Sequence, residues 1–140
     1  MASSWIFYAL LAAVFAGLVA VFGKIGLKNV DANLATTIRA FVMFMFLILV
    51  ILFQNKFALI SQLKFADYAF IVLAGIAGAL SWLFYFLALR SGDATKVASL
   101  DRLSVVFVMI FAILFLGEKF SLKVLSGVVL IVIGAVMIVI

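Results

Sequence analysis

Asp101 and Arg102 stand side by side in a stretch otherwise fit only for lipid, and Arg39 stands in another. What such charges can do is bounded by what is missing. The 140-residue chain has no His and no Cys, so thiolate nucleophiles, His-paired nucleophiles and the usual zinc ligands are excluded. Five carboxylates remain for acid–base work. No enzyme, no metal and no cofactor is therefore expected. An acid and two guanidinium groups inside apolar sequence are suited instead to recognising a charged solute, or to bracing helices against one another.

Their depth follows from the turns before them. Ser91-Gly92-Asp93 reads as a helix boundary, with Gly92 suited to the left-handed C′ position and Asp93 to capping a helix that starts at Ala94. Asp101 lies eight residues beyond Asp93, about 12 Å along a helix axis and so inside a hydrocarbon layer about 30 Å thick. From Val105 to Leu116 no side chain is polar. Arg39 lies eight residues after Asp31, which with Asn33 is an N-cap candidate for its own helix, and both helices leave from the same side of the membrane. Arg39 and Asp101 are thus expected at one depth.

Asp101 has no cation three or four residues away on its own helix, where Val97, Ala98, Ser104 and Val105 stand. An unpaired buried carboxylate is costly, so pairing with Arg39 from another helix is expected. Arg102 must find water, carbonyls or an anion. The third span adds Gly75, Gly78, Ser81 and Tyr85 on one stripe with Trp82 beside it, and Trp82 falls about 12 Å inside when counted back from Arg90. The candidate substrate cavity is accordingly Arg39, Ser81, Trp82, Tyr85, Asp101 and Arg102. Two cations and one anion give it a net charge of +1, which favours a solute bearing an acidic group. The competing reading is a static Arg39–Asp101 brace, with Arg102 snorkelling toward the headgroups.

The elements that must hold these residues are helices in a membrane. Hydrophobic residues make up 71% of the chain and charged ones 11%, and mean hydropathy is +1.53. The fold class is all-α integral membrane, one domain over residues 1–140 with five spanning helices at 5–23, 34–53, 67–89, 94–116 and 120–140. Residues 54–66, with two Lys among apolar side chains, are expected to lie at the interface. The first span resembles a signal peptide in its Ala content. Its leader Met1-Ala2-Ser3-Ser4 carries no charge and the run is too long, so it is expected to be retained.

The net charge of +5 comes largely from Lys at helix ends and points to lipid headgroups as partners, not to nucleic acid. Gly127 and Gly134, seven apart on one face of the last span, are expected at a helix–helix contact, here a dimer contact. Basic residues divide six to four between the two membrane faces, and four to four without the embedded Arg39 and Arg102. Either insertion is then accessible.

The Leu116-Gly117-Glu118-Lys119 turn followed by Gly127 and Gly134 resembles the EamA repeat of the drug/metabolite transporter superfamily. Leu34-Ala35-Thr36-Thr37-Ile38-Arg39, Ser81-Trp82-Leu83-Phe84-Tyr85-Phe86 and Asp101-Arg102-Leu103-Ser104 are similar to signatures of its half-size bacterial and archaeal branch, which has one repeat per chain. The chain departs from that branch at Ser99, where Pro is usual, and at Arg102, where Lys is usual. It has no Pro at all, so a Pro-dependent kink in the fourth span has no basis here. The resemblance implies a multi-pass transporter of the cell (cytoplasmic) membrane of a bacterium or archaeon. Five helices are half of the inverted-repeat architecture used for alternating access, so a homodimer moving a small-molecule substrate is expected, with an antiparallel arrangement reproducing the repeat. The alternative is a non-transporting membrane scaffold or accessory subunit of another membrane complex.

Overall fold

In hydrocarbon an unpaired backbone N–H or C=O has no water to turn to, so apolar stretches of spanning length close into helices. The computed structural model describes residues 4–119 and 121–140. Residues 1–3, from the leader of the first span, and Phe120, the expected start of the fifth, lie outside the described residues. The elements are α1 (Ser4–Gly26), α2 (Ala32–Phe53), a 3₁₀ helix (Phe57–Gln62), α3 (Phe65–Ser91), α4 (Ala94–Asp101), α5 (Ser104–Leu116) and α6 (Leu122–Val139). Five segments are long and apolar enough to cross a membrane, with α4 and α5 together forming the fourth. Side chains such as Phe53 and Phe65 are 86% and 89% exposed, which suits a surface solvated by acyl chains.

By packing, the chain falls into two units. The first, Gly26–Arg90, holds α2, the 3₁₀ helix and α3. Asp31 caps α2: its Oδ1 accepts from the backbone N–H of Asn33 at 2.9 Å and of Leu34 at 3.2 Å. That satisfies two of the donors a helix start leaves open. The other oxygen, Oδ2, meets Arg90 Nη1 at 3.4 Å near the end of α3. Asn55, in the left-handed region at φ 52°, turns the chain out of α2. The expected interfacial segment contains the 3₁₀ helix and is tied to the start of α3, where Lys64 N–H donates to Asp67 Oδ2 at 2.9 Å and Tyr68 Oη–H donates to the Ile60 carbonyl at 3.0 Å.

The second unit, Met1–Ile25 with Ser91–Ile140, holds α1, α4, α5 and α6. α4 packs along α6, where Val128 and Ala135, one heptad apart, are buried. Lys96 Nζ donates to the Val139 carbonyl at 3.0 Å. Gly117 adopts φ 66° after α5, and its N–H and that of Glu118 both reach the Ala112 carbonyl, closing the helix end. At that φ only a glycine is free of strain.

The fourth span keeps its expected bounds, Ala94 to Leu116, but its hydrogen-bond ladder is interrupted within them. It breaks at Arg102–Leu103, where bonding shifts from four residues back to three: Leu103 N–H to the Leu100 carbonyl at 2.9 Å, Val105 to Arg102 at 3.2 Å and Val106 to Leu103 at 2.9 Å. No Pro is involved. Ser99 Oγ donates back to the Thr95 carbonyl at 2.8 Å one turn earlier, a bond that competes with the backbone ladder and bends helices. Gly92 does not take the expected left-handed position, since Gly117 is the glycine with positive φ among the described residues. Lys24 Nζ donates to the Gly92 carbonyl at 2.8 Å, tying the end of α1 to this turn. Asp93 is extended at φ −66°, ψ 139° in the N-cap position, but its side chain makes no capping bond.

Candidate functional site

Along α2, Asn33, Thr36, Thr37, Ala40, Phe44 and Leu47 recur at helical spacing, and along α3 so do Gly75, Gly78, Ala79 and Trp82. These two faces enclose a cleft of about 780 Å³ within the first unit. Its volume comes from small residues. A Cβ at Gly75 or Gly78 would meet nothing within 4 Å, so these glycines leave the wall bare and do not serve a tight helix crossing. One end, at Asn33, Thr36, Thr37 and Arg39, is polar; the remainder, past Met43 to Leu47, is apolar.

Arg39 is half-buried, and its Cζ sits 3.6 Å from the centroid of the Trp82 ring and 5.5 Å from that of Phe86. The shorter distance is that of stacked planar groups, so the indole covers one face of the guanidinium. Trp82 is itself held edge-on by Tyr85 at 5.4 Å and 74° and by Phe86 at 6.2 Å and 66°. Stacking occupies a face and leaves the N–H edges, which can grip a planar anion with two parallel bonds. Within Gly26–Arg90 no described residue accepts a hydrogen bond from the Arg39 side chain. The threonine hydroxyls beside it donate backward, Thr36 Oγ1 to the Ala32 carbonyl at 2.7 Å and Thr37 Oγ1 to the Asn33 carbonyl at 2.9 Å. Toward the cleft they offer lone pairs.

Of the residues expected in a cavity, the structure thus brings Arg39 and Trp82 together and places Tyr85 against Trp82. Ser81 is exposed on α3, to one flank of the lining. Asp101 and Arg102 belong to the second unit, where both are exposed at the α4–α5 break. There Arg102, with Thr95 and Ser99 of α4, borders a separate cleft of about 340 Å³ facing Gly17, Ala20 and Val21 of α1. Gly127 and Gly134 lie about 100° around α6 from the buried Val128 and Ala135, and a Cβ on either would meet nothing within 4 Å.

Asn33, Thr36 and Thr37 line the cleft beside Arg39 and are not embedded charges. Their signal is the helical spacing of polar groups in the turn before Arg39. The Asp31–Arg90 pair was legible too, since the start of one span and the end of the next antiparallel one lie at the same level.

A cleft with one stacked guanidinium inside a five-span chain narrows the relatives it can have. A described relative from Sinorhizobium sp, an uncharacterized transporter in the cobO 3′ region, is 42% identical over 137 residues, covering 98% of this chain and 97% of the relative. No solved structure matches. The EamA-like transporter family matches residues 3–140, a range that takes in all five spans: the chain belongs to the EamA-like transporter family.

Proposed function

We propose that the chain is a secondary transporter that moves a small metabolite bearing an acidic group across the cell membrane of a bacterium or archaeon, working as a homodimer by alternating access. The observation that carries this reading is Arg39, stacked on Trp82 at 3.6 Å at the polar end of a cleft between two spans. A guanidinium at membrane depth costs about 3 kcal/mol or more, and stacking on an indole returns about 0.5 to 2 kcal/mol. An anion at the open N–H edge supplies the rest. Ser81, Tyr85, Asp101 and Arg102 complete the pathway in this reading, with Asp101 able to pair with Arg39 between transport events.

The dimer supplies the second set of five spans that inverted-repeat transporters carry in one chain. Gly127 and Gly134 of α6, turned away from the α4 contact, form its seam. An antiparallel pairing agrees with the even division of basic residues between the two faces.

The test is solute uptake by liposomes containing the purified chain alone, against a panel of labelled organic acids, amines and neutral metabolites. Saturable uptake of an acid that Arg39→Gln abolishes supports the proposal. Absence of uptake of any solute, together with tight copurification of a second membrane protein from native membranes, replaces it with the accessory-subunit reading.

A further inference from the structure

We infer that the α2–α3 cleft selects monocarboxylates with an apolar body, excluding dianions, cations and neutral amphiphiles. This rests on the transport reading for its biological sense, though the cleft chemistry stands on its own. Among the cleft's lining residues Arg39 is the one charged side chain. A single carboxylate therefore leaves no uncompensated charge, whereas a second anionic group does, in surroundings where such charge is costly. The lone pairs of Thr36 and Thr37 repel that second group, because their protons are already donated to Ala32 and Asn33. An ammonium faces the guanidinium, and an alcohol fills the cleft but leaves charged N–H donors without an acceptor of matching charge.

The rest of the cleft fixes the body. From Arg39 to Leu47 is eight residues, about 12 Å along α2, past Met43 and Phe44 and opposite the bare backbone at Gly75 and Gly78. That is room for an aryl ring on a short alkyl spacer. The cleft's volume lies in the range that holds molecules of this size. Trp82 fixes the plane of the guanidinium, so it acts as a positioning residue for the carboxylate.

The chain contains two Trp, so Trp5→Phe leaves Trp82 as a single fluorescent reporter inside the site. This protein, in nanodiscs of neutral phosphatidylcholine, is titrated with 4-phenylbutyrate, 4-phenylbutylamine, 4-phenylbutan-1-ol and the dianion benzylmalonate, with Arg39→Gln in identical discs subtracting simple partition into lipid. The expected result is saturable quenching by the monocarboxylate with an affinity at least about tenfold above each of the other three, lost in Arg39→Gln. Because a Cβ at position 78 meets open space, Gly78→Leu folds and fills the cleft. It is expected to weaken 4-phenylbutyrate binding at least about tenfold and to leave propionate unaffected.

Equal binding of the amine, alcohol or dianion overturns the inference, as does quenching that survives both Arg39→Gln and Gly78→Leu. A third arm replaces part of the phosphatidylcholine with phosphatidylglycerol. If that lipid alone quenches Trp82 and 4-phenylbutyrate cannot reverse it, the cleft holds a lipid headgroup and the soluble-acid proposal falls. Uptake of amines or neutral solutes without acid binding removes the substrate class and leaves transport standing. Acid binding with no uptake of any solute does the reverse.

Discussion

Trp82→Leu keeps an apolar side chain in the wall of the cleft and removes the ring that covers Arg39. The indole lies 3.6 Å from Arg39 Cζ with the guanidinium half-buried, so the coupling belongs in the upper part of the cation–π range, about 1 to 2 kcal/mol. Phe86, at 5.5 Å, is too far to replace it at that strength. The measurement is a double-mutant cycle with Arg39→Gln, each variant unfolded in mixed micelles at rising fractions of anionic detergent and scored by loss of helix. Trp82→Leu alone also loses buried ring area and the edge contacts to Tyr85 and Phe86, which the cycle removes by comparing it in the presence and absence of Arg39. The expected outcome is that Trp82→Leu is less damaging by about 1 to 2 kcal/mol when Arg39 is already Gln. Additivity within about 0.3 kcal/mol would show that the stacked geometry contributes nothing and that Arg39 is held by something else.

Asp31→Ala removes the one oxygen that accepts both capping bonds and an exposed ion pair, and is expected to cost about 1 to 2 kcal/mol in the same unfolding assay. Arg90→Gln, which removes only the pair at 3.4 Å, is expected to cost less than about 1 kcal/mol. Because the chain lacks native Cys, a single Cys added after Ile140 and labelled in intact cells by an impermeant thiol reagent reports orientation. Labelling of about half the chains is expected for dual insertion, and all-or-none labelling removes the antiparallel dimer. Arg39→Asp combined with Asp101→Arg is expected to recover part of the uptake lost in either single variant, and equal damage in all three counts against a pair.

The spans were legible because an apolar run of about 20 residues has few structural alternatives, and the Asp31 cap because a short acidic side chain before such a run has an obvious task. Which way each helix faces was less legible. In a soluble helix the polar side marks the outside, but here lipid-facing and protein-facing sides are both apolar. Gly75 and Gly78 fit the stripe toward Ser81 and Tyr85 as well as the one toward Ala79 and Trp82, and the structure lines the cleft with the second. The break at Arg102–Leu103 had no Pro or Gly to announce it. Its nearest signal, Ser99 with Thr95 four residues before, is also common in unbroken helices.

Stacking and neutralisation are separate needs, and Trp82 meets only the first. It can hold the guanidinium plane of Arg39 without any carboxylate, so the fixed position of that side chain within α2 and α3 does not depend on Asp101. The charge still requires an anion, and in our proposal the anion is either Asp101 or the carboxylate of a solute. Both would take the same N–H edge, so they compete. A brace and a binding site then make opposite predictions for Asp101→Asn. If Asp101 stiffens the fold without taking that edge, its loss weakens folding and does not improve acid binding. If it occupies the edge between transport events, its loss frees Arg39 and tightens 4-phenylbutyrate at the Trp82 reporter by about tenfold, the equivalent of one charge-assisted hydrogen bond no longer given up. Uptake falls in the same variant, because the solute then has no internal anion to displace it on the far side.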